Sequence, residues 1–266
     1  TYFKDYDMWL LARFDDVAAI ATNPAMVRSL AGFETEAEAK ARQHRANWHD
    51  MPFHERVVQF SLLDSEGDVH RRLRKQIFGV FTASAVAGLE PVVQGFVDGL
   101  LKDLRDRAQI DFIQDFAAHV PGFVIGHLLG VPAEHAGQLR LWSEQVVQFF
   151  DVDRSDARKS IAETATREFF AFLTDLKAKR KRAPRDDLIS KMIVDEAAGL
   201  YTEDEFISTC MLILMAGHGS TIDVLGSGMH LLLKNPDALQ ALRRTPAGLP
   251  VAIQEMFRIE PPLPFF

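Results

Sequence analysis

Three observations predict a mainly α-helical fold with a small β region at the N-terminus. From residue 69 onward, apolar residues recur at helical spacing almost without interruption. The breaks between these stretches carry helix start and stop signals. A strand-like stretch occurs only near the start, at Met8-Trp9-Leu10-Leu11-Ala12.

In chain order, a short helix begins at Asp15-Asp16-Val17, runs to about Thr22 and is ended by Asn23-Pro24. Residues 32–62 show no sustained periodicity. His44, His49 and His54 sit there, with Trp48 and Phe53 between them. Five residues turn about 500° on a helix, so these imidazoles would not share a face. The segment reads as a mobile surface stretch in preference to a zinc site. Helices are then expected over 69–82, 86–107, 113–130, 133–150, 155–182, 186–195, 203–234, 236–244 and 247–259. Their punctuation is Thr82-Ala83-Ser84, Gly130-Val131-Pro132, Ala183-Pro184-Arg185-Asp186, a capping box of Thr202 with Glu205, and Asn235-Pro236-Asp237. The basic run from Lys177 to Arg182 reads as a solvated helix end, where cations suit the negative end of the dipole. Helix 203–234 is apolar all round from Met211 to Met215 and should run buried through the fold. One domain over residues 1–266 follows.

The 266 residues are 47% hydrophobic and 25% charged, an ordinary globular composition. A net charge of −7 argues against a dedicated nucleic-acid binder, which needs a basic excess. Cys210 is the one cysteine, so neither an internal disulfide nor a CxxC site can form, and a reducing, cytoplasmic setting fits. The longest apolar run, Cys210 to Gly217, falls far short of the ~20 residues of a membrane span, so no membrane anchor is expected. The chain opens at Thr1 without Met and closes on the apolar run from Pro261 to Phe266; it reads as a fragment truncated at both ends.

Three short patterns carry chemistry. His70 and Arg74 are four apart in His70-Arg71-Arg72-Leu73-Arg74 and share a helix face. Two donors stacked this way can grip paired carboxylates; the bland alternative is a basic surface helix. Ala216-Gly217-His218-Gly219-Ser220-Thr221 lies mid-helix, where each glycine costs about 1 kcal/mol relative to alanine. Such a run invites a local break that lets a flat ligand approach the backbone, with the Thr221 hydroxyl in the gap. Tight helix crossing is the alternative, and Gly226 and Gly228 favour it. Glu255 and Arg258 form an i,i+3 pair on a helix that Ile253, Met256, Phe257 and Ile259 suggest is largely buried, ended by Glu260-Pro261-Pro262.

In this order and spacing, H-x-x-x-R, A-G-x-x-[ST]-T and E-x-x-R followed by P-P, the chain resembles the cytochrome P-450 family in its soluble bacterial branch. Leu128-Leu129-Gly130-Val131-Pro132, Asp186-Asp187-Leu188-Ile189-Ser190 and Asn235-Pro236-Asp237 add to the likeness, which covers nearly the whole chain. The resemblance implies a P-450-like helical fold and haem b (iron protoporphyrin IX) as cofactor. His70 and Arg74 would donate to the haem propionates, Ala216 and Gly217 would flank the ring, and Thr221 would deliver protons for oxygen activation. Glu255 and Arg258 would form a structural clasp. Roughly residues 45–68, with parts of 133–150, would line the substrate pocket. The implied activity is monooxygenation of a small apolar molecule with dioxygen and electrons from a ferredoxin- or reductase-type donor.

Two departures stand out. Gly219 occupies a position that is usually acidic in the family. The cysteine that ligates iron lies in the family well beyond the E-x-x-R helix, and no such segment follows here, so the chain as given is expected to be inactive and to supply no metal ligand. Cys210 cannot replace it, being 11 residues before Thr221, about 16 Å along the helix axis. The alternative reading is a haem-free, P-450-like helper or interaction protein.

Overall fold

A computed structural model of the chain describes residues 1–4, 8–30, 32–151 and 153–263. Of the apolar closing run, residues 264–266 lie outside the described residues. Strands β1 (Tyr2–Phe3) and β2 (Met8–Trp9) pair antiparallel, Tyr2 opposite Trp9. Then come α1 (Phe14–Ala21), α2 (Glu36–Arg45), α3 (Pro52–Gln59), α4 (Gly67–Phe78), α5 (Ala83–Gly88), α6 (Glu90–Leu104) and α7 (His119–Leu129). The remainder is α8 (Ala136–Val147), α9 (Asp156–Arg182), α10 (Leu188–Ala197), α11 (Glu203–Ala216), α12 (Gly219–Lys234), α13 (Pro236–Arg244) and α14 (Leu249–Ile259). The mainly helical expectation holds, with one small sheet at the start.

The long α9 packs against α3, α8, α10 and α11. Between them lies the main core, where Phe169 and Leu173 of α9 meet Ile207, Met211 and Leu214 of α11. The apolar centre of α11 is buried as its sequence requires, with Met211 and Leu214 at 0% exposure. The stretch Glu203–Lys234 is also apolar and long enough to cross a bilayer. Its buried centre and mid-point break make it a core element instead.

Several local expectations need correction. Residues 32–62 contain two helices. Helix α2 (EAEAKARQHR) has no apolar stripe for periodicity to detect, and is held by a Thr35–Glu38 capping box and by Lys40–Glu36 and Arg42–Glu34 ion pairs. Helix α1 starts one residue before Asp15, so Asp15 and Asp16 lie in its first turn and do not cap it. The expected helix 86–107 is two helices, with a 61° bend around Leu89. Residues 112–117 form a π-helical turn before α7.

The basic run is only partly a solvated end, with Lys179, Lys181 and Arg182 exposed. Lys177 and Arg180 are 4% and 5% exposed, because one side of the last turns of α9 faces α10 and the C-terminal end of α7. Lys177 pairs with Glu196 at 2.5 Å, and Arg180 with Asp187 at 2.7 Å. A second Arg180 nitrogen donates to the Gly130 carbonyl.

The three imidazoles do not all separate, because α2 ends at Arg45 and the chain turns at Asn47, and only part of the segment lies on the surface. His44 and His49 stack at 4.0 Å, while His54 is 1% exposed among Trp48, Phe149 and Phe150. Backbone N–H groups of Phe53 and His54 donate to the Glu163 carboxylate at 3.1 Å each, docking α3 on α9. Burial, aided by the Arg154 charge, lowers the His54 pKa from 6.5 to about 4. The unfolded chain therefore binds this proton near pH 6.5 and the folded one only near 4. Its contribution is complete above the unfolded value and is lost as pH falls towards the folded one, by about 3 kcal/mol at ~1.4 per unit. His54→Gln should flatten the acid limb of stability over that window in urea unfolding measured at stepped pH. Superimposable limbs would refute this.

Candidate functional site

Helix α4 buries Leu73 and Ile77, four apart, against the core. His70 and Arg74 fall about 60° and 100° round from Leu73, at the edge of the buried stripe. The His70 Nδ1 lies 3.1 Å from the Leu62 carbonyl, so Nδ1 carries the proton and Nε2 is left for a ligand. Its neighbours are committed elsewhere. Arg71 pairs with Asp68, and Arg72 makes a two-point fork on Glu205 at 2.6 and 3.0 Å and reaches the Leu200 carbonyl at 2.7 Å. Arg74 is exposed and carries no ion pair or hydrogen bond among the described residues. An imidazole and an uncommitted guanidinium at i,i+4 are a donor set suited to paired carboxylates.

Arg72 is a residue that the sequence did not single out. Glu205 accepts from Thr202 N at 2.8 Å in the α11 capping box and also holds Arg72. The Arg72 hydrogen bonds hold the Glu205 carboxyl below its usual range. This junction fixes α4 on the start of α11 and leaves Arg74 free.

The expected break in the central helix is present. Helix α11 ends at Ala216, α12 begins at Gly219, and His218 sits between them at φ −96°, ψ −74°. Ala216 is exposed. Gly217 faces α7, where an added Cβ would lie 2.2 Å from Ile125 Cγ1; tight crossing alone accounts for that glycine. Nothing lies within 4 Å of a Cβ built on Gly219, so the position that lacks its acid opens to free space. Thr221 is exposed and its hydroxyl makes no hydrogen bond among the described residues. The hydroxyl tied to the break is that of Ser220, which donates to the Ala216 carbonyl at 3.4 Å. A serine four residues after a carbonyl in a weakened helix is the signal that would have found it.

The third pattern reaches the same helix. Helix α14 packs on α12 where Gly228 meets Met256, with an added Cβ 2.6 Å from Sδ, and Gly226 meets Ile113 in the same way at 2.4 Å. Glu260, at the end of α14, joins Asp223, Ser227 and His230 of α12 around a cavity of about 380 Å³. The Glu255–Arg258 pair forms, at 2.8 Å, but both side chains are more than half exposed. The expectation of a largely buried helix fails, since α14 has no fully buried residue: only one side meets α12. The expected substrate-lining segments also meet, with Trp48 against Phe149 at 6.2 Å and Phe150 at 5.9 Å.

Cys210 is fully buried against Met192, Sγ 3.9 Å from Sδ, and burial pushes its thiol up to about 12. It is in no state to serve as a thiolate ligand. The donors on α4 suit a carboxylate-bearing edge, and the exposed side of the break suits the flat face of a ligand.

Comparison with known proteins agrees. No protein-family model matches the chain. It is 32% identical over 261 residues to cytochrome P450 107B1 of Saccharopolyspora erythraea, covering 97% of this chain and 61% of that protein. It is 30% identical over 262 residues to the biotin biosynthesis cytochrome P450 of Bacillus subtilis, covering 98% and 63%. Among solved structures, the myxobacterial cytochrome P450 CYP267B1 in complex with myristic acid superimposes with a TM-score of 0.84 at 29% identity, covering 95% of this chain and 61% of that one. The chain thus spans somewhat under two thirds of the length of the relatives it matches.

Proposed function

We propose, from the premise that this chain belongs to the cytochrome P450 family, that it serves a haem-dependent monooxygenase acting on a small apolar molecule. The family's prosthetic group is haem b. When bound, that group supplies dioxygen activation with electrons from a redox partner, for which a ferredoxin or its reductase is the proposed donor. The observation that carries this reading is the break at Gly217-His218, where the buried α11 passes into the largely unburied α12.

Each residue then has a stated task. Arg74 and the Nε2 side of His70 hold the propionates by charge-assisted hydrogen bonds. With Nδ1 committed to Leu62, His70 donates from Nε2 only when its ring is doubly protonated. Ala216 offers a small, exposed surface to the ring, while Gly217 lets the helix settle on Ile125. The Ser220 and Thr221 hydroxyls hold and move the proton at the break, and Gly219 places no carboxylate immediately before them. Glu255 and Arg258 act as a clasp and touch no reacting atom. Cys210, buried and with its thiol pushed up, would not supply a thiolate to the iron.

The myristic acid complex of the structural relative is consistent with an apolar substrate. The Phe150 ring, 36% exposed, supplies apolar surface where the two proposed substrate-lining segments meet, with Trp48 and Phe149 packed behind it. Turnover of the haem-loaded protein encoded by the complete gene, under labelled dioxygen, should place one labelled oxygen atom in the product. Product oxygen drawn from water, or no oxygenated product from any apolar substrate, would contradict the assignment. Thr221→Ala should lower the yield of product per oxygen consumed by roughly 10-fold or more, and Ser220→Ala by at least as much. Wild-type coupling in both variants would remove the hydroxyls from the mechanism.

A further inference from the structure

We propose that His218 is a positioning residue whose ring holds the central helix open, with Gly122 of α7 as the seat that the ring requires. In an unbroken helix the His218 N–H would donate to the Leu214 carbonyl. Here it reaches only Met215 O, at 3.4 Å. The Leu214 carbonyl is taken instead by the Nδ1 of the same residue, at 2.6 Å. A side chain has replaced its own backbone in the ladder, one of the recognised causes of a sharp helix kink.

The ring is buried at 1% exposure, and its Nε2 has no hydrogen-bond partner among the described residues. It abuts Gly122, where an added Cβ would lie 3.0 Å from Nε2 and 3.5 Å from Cδ2. With Nδ1–H donating to a carbonyl, Nε2 carries a lone pair, which fits an apolar seat; an N–H there would be stranded. Burial and the Arg140 charge lower the pKa of the imidazole, against the Leu214 hydrogen bond and the Glu144 charge, and so favour the neutral ring. Immediately after the break, Ser220 takes the Ala216 carbonyl by the same i→i−4 device. The ring therefore sets the backbone from which Ser220 and Thr221 project. Only the use of the break rests on the proposed function; the wedge itself does not.

The test is amide hydrogen exchange across residues 213–222 of the whole protein, without turnover. His218→Leu should return the residue-218 amide to Leu214 O and slow its exchange at least 10-fold. His218→Asn should keep the wild-type pattern, since an asparagine amide can make this bond: Asn235 Nδ2 donates to Leu231 O at 2.8 Å. Gly122→Ala should disturb the pattern in the wild-type background but not beside His218→Asn, whose shorter side chain stops short of the seat. An unchanged pattern in His218→Leu would overturn the proposal, as would an equal disturbance by Gly122→Ala in both backgrounds. If His218→Leu does not fold, the Gly122→Ala pair with His218 and Asn still decides. Loss of oxygenase activity with a normal exchange pattern would count against the functional reading and leave the wedge intact.

Discussion

Arg180→Ala is expected to destabilise the fold by about 3–5 kcal/mol, the range for breaking a buried ion pair by removing one partner. The Arg180 and Asp187 side chains are 6% and 5% exposed, and alanine would leave the Asp187 carboxylate and the Gly130 carbonyl buried with lost donors. Gly130 makes the junction rigid. It sits at φ +87°, and an added Cβ would lie 2.0 Å from Asp187 Oδ2. Gly130→Ala should therefore destabilise to a similar degree through strain and displacement of the carboxylate. Arg180→Lys should recover only part of the loss, because an ammonium cannot span both acceptors as a fork does. Urea unfolding midpoints check all three. A loss under about 1 kcal/mol for Arg180→Ala would mean that the junction is not structural.

The second large effect falls on cofactor retention. Arg74→Ala should weaken haem retention by roughly 10–100-fold, the equivalent of about 1.5–3 kcal/mol for a charge-assisted hydrogen bond. His70→Ala should act in the same direction, and the double variant should retain haem least. Arg72→Ala is the control from the same helix. It breaks the fork on Glu205 and should lower thermal stability, with a smaller effect on haem transfer to an apo-acceptor protein. Equal haem loss from all three variants would return the cluster to a basic surface helix with no special pair.

How far the sequence reveals this structure depends on the kind of signal. The break at Gly217-His218 was legible because glycine and hydroxyl residues in a buried helix contradict local propensity, and such contradictions mark functional sites. The end of α9 and the start of α13 followed from Ala183-Pro184 and Asn235-Pro236. Helix α2 was hidden because it buries nothing and so shows no apolar period, though its Thr35-x-x-Glu38 box was visible. The burial of Lys177 and Arg180 was hidden because their partners Glu196 and Asp187 come from another helix and its cap. The same holds for Arg72, whose partner Glu205 lies 133 residues away. Ser220 was passed over for Thr221 because spacing alone does not say which hydroxyl finds a carbonyl. The Glu255–Arg258 pairing followed from the motif, but the exposure of α14 depends on what packs beside it, which no residue in Glu255-Met256-Phe257-Arg258 encodes.

The proposed role of this chain is to build the distal face and propionate grip of a haem site. Its most direct test is the absorption spectrum of the protein made from its uninterrupted gene, reduced and exposed to carbon monoxide, in wild-type and His70→Ala/Arg74→Ala forms. The wild type should show the long-wavelength Soret band of a thiolate-ligated haem, and the double variant a marked loss of bound haem. A wild-type protein with no Soret band would contradict that role and favour a haem-free helper built on the same fold.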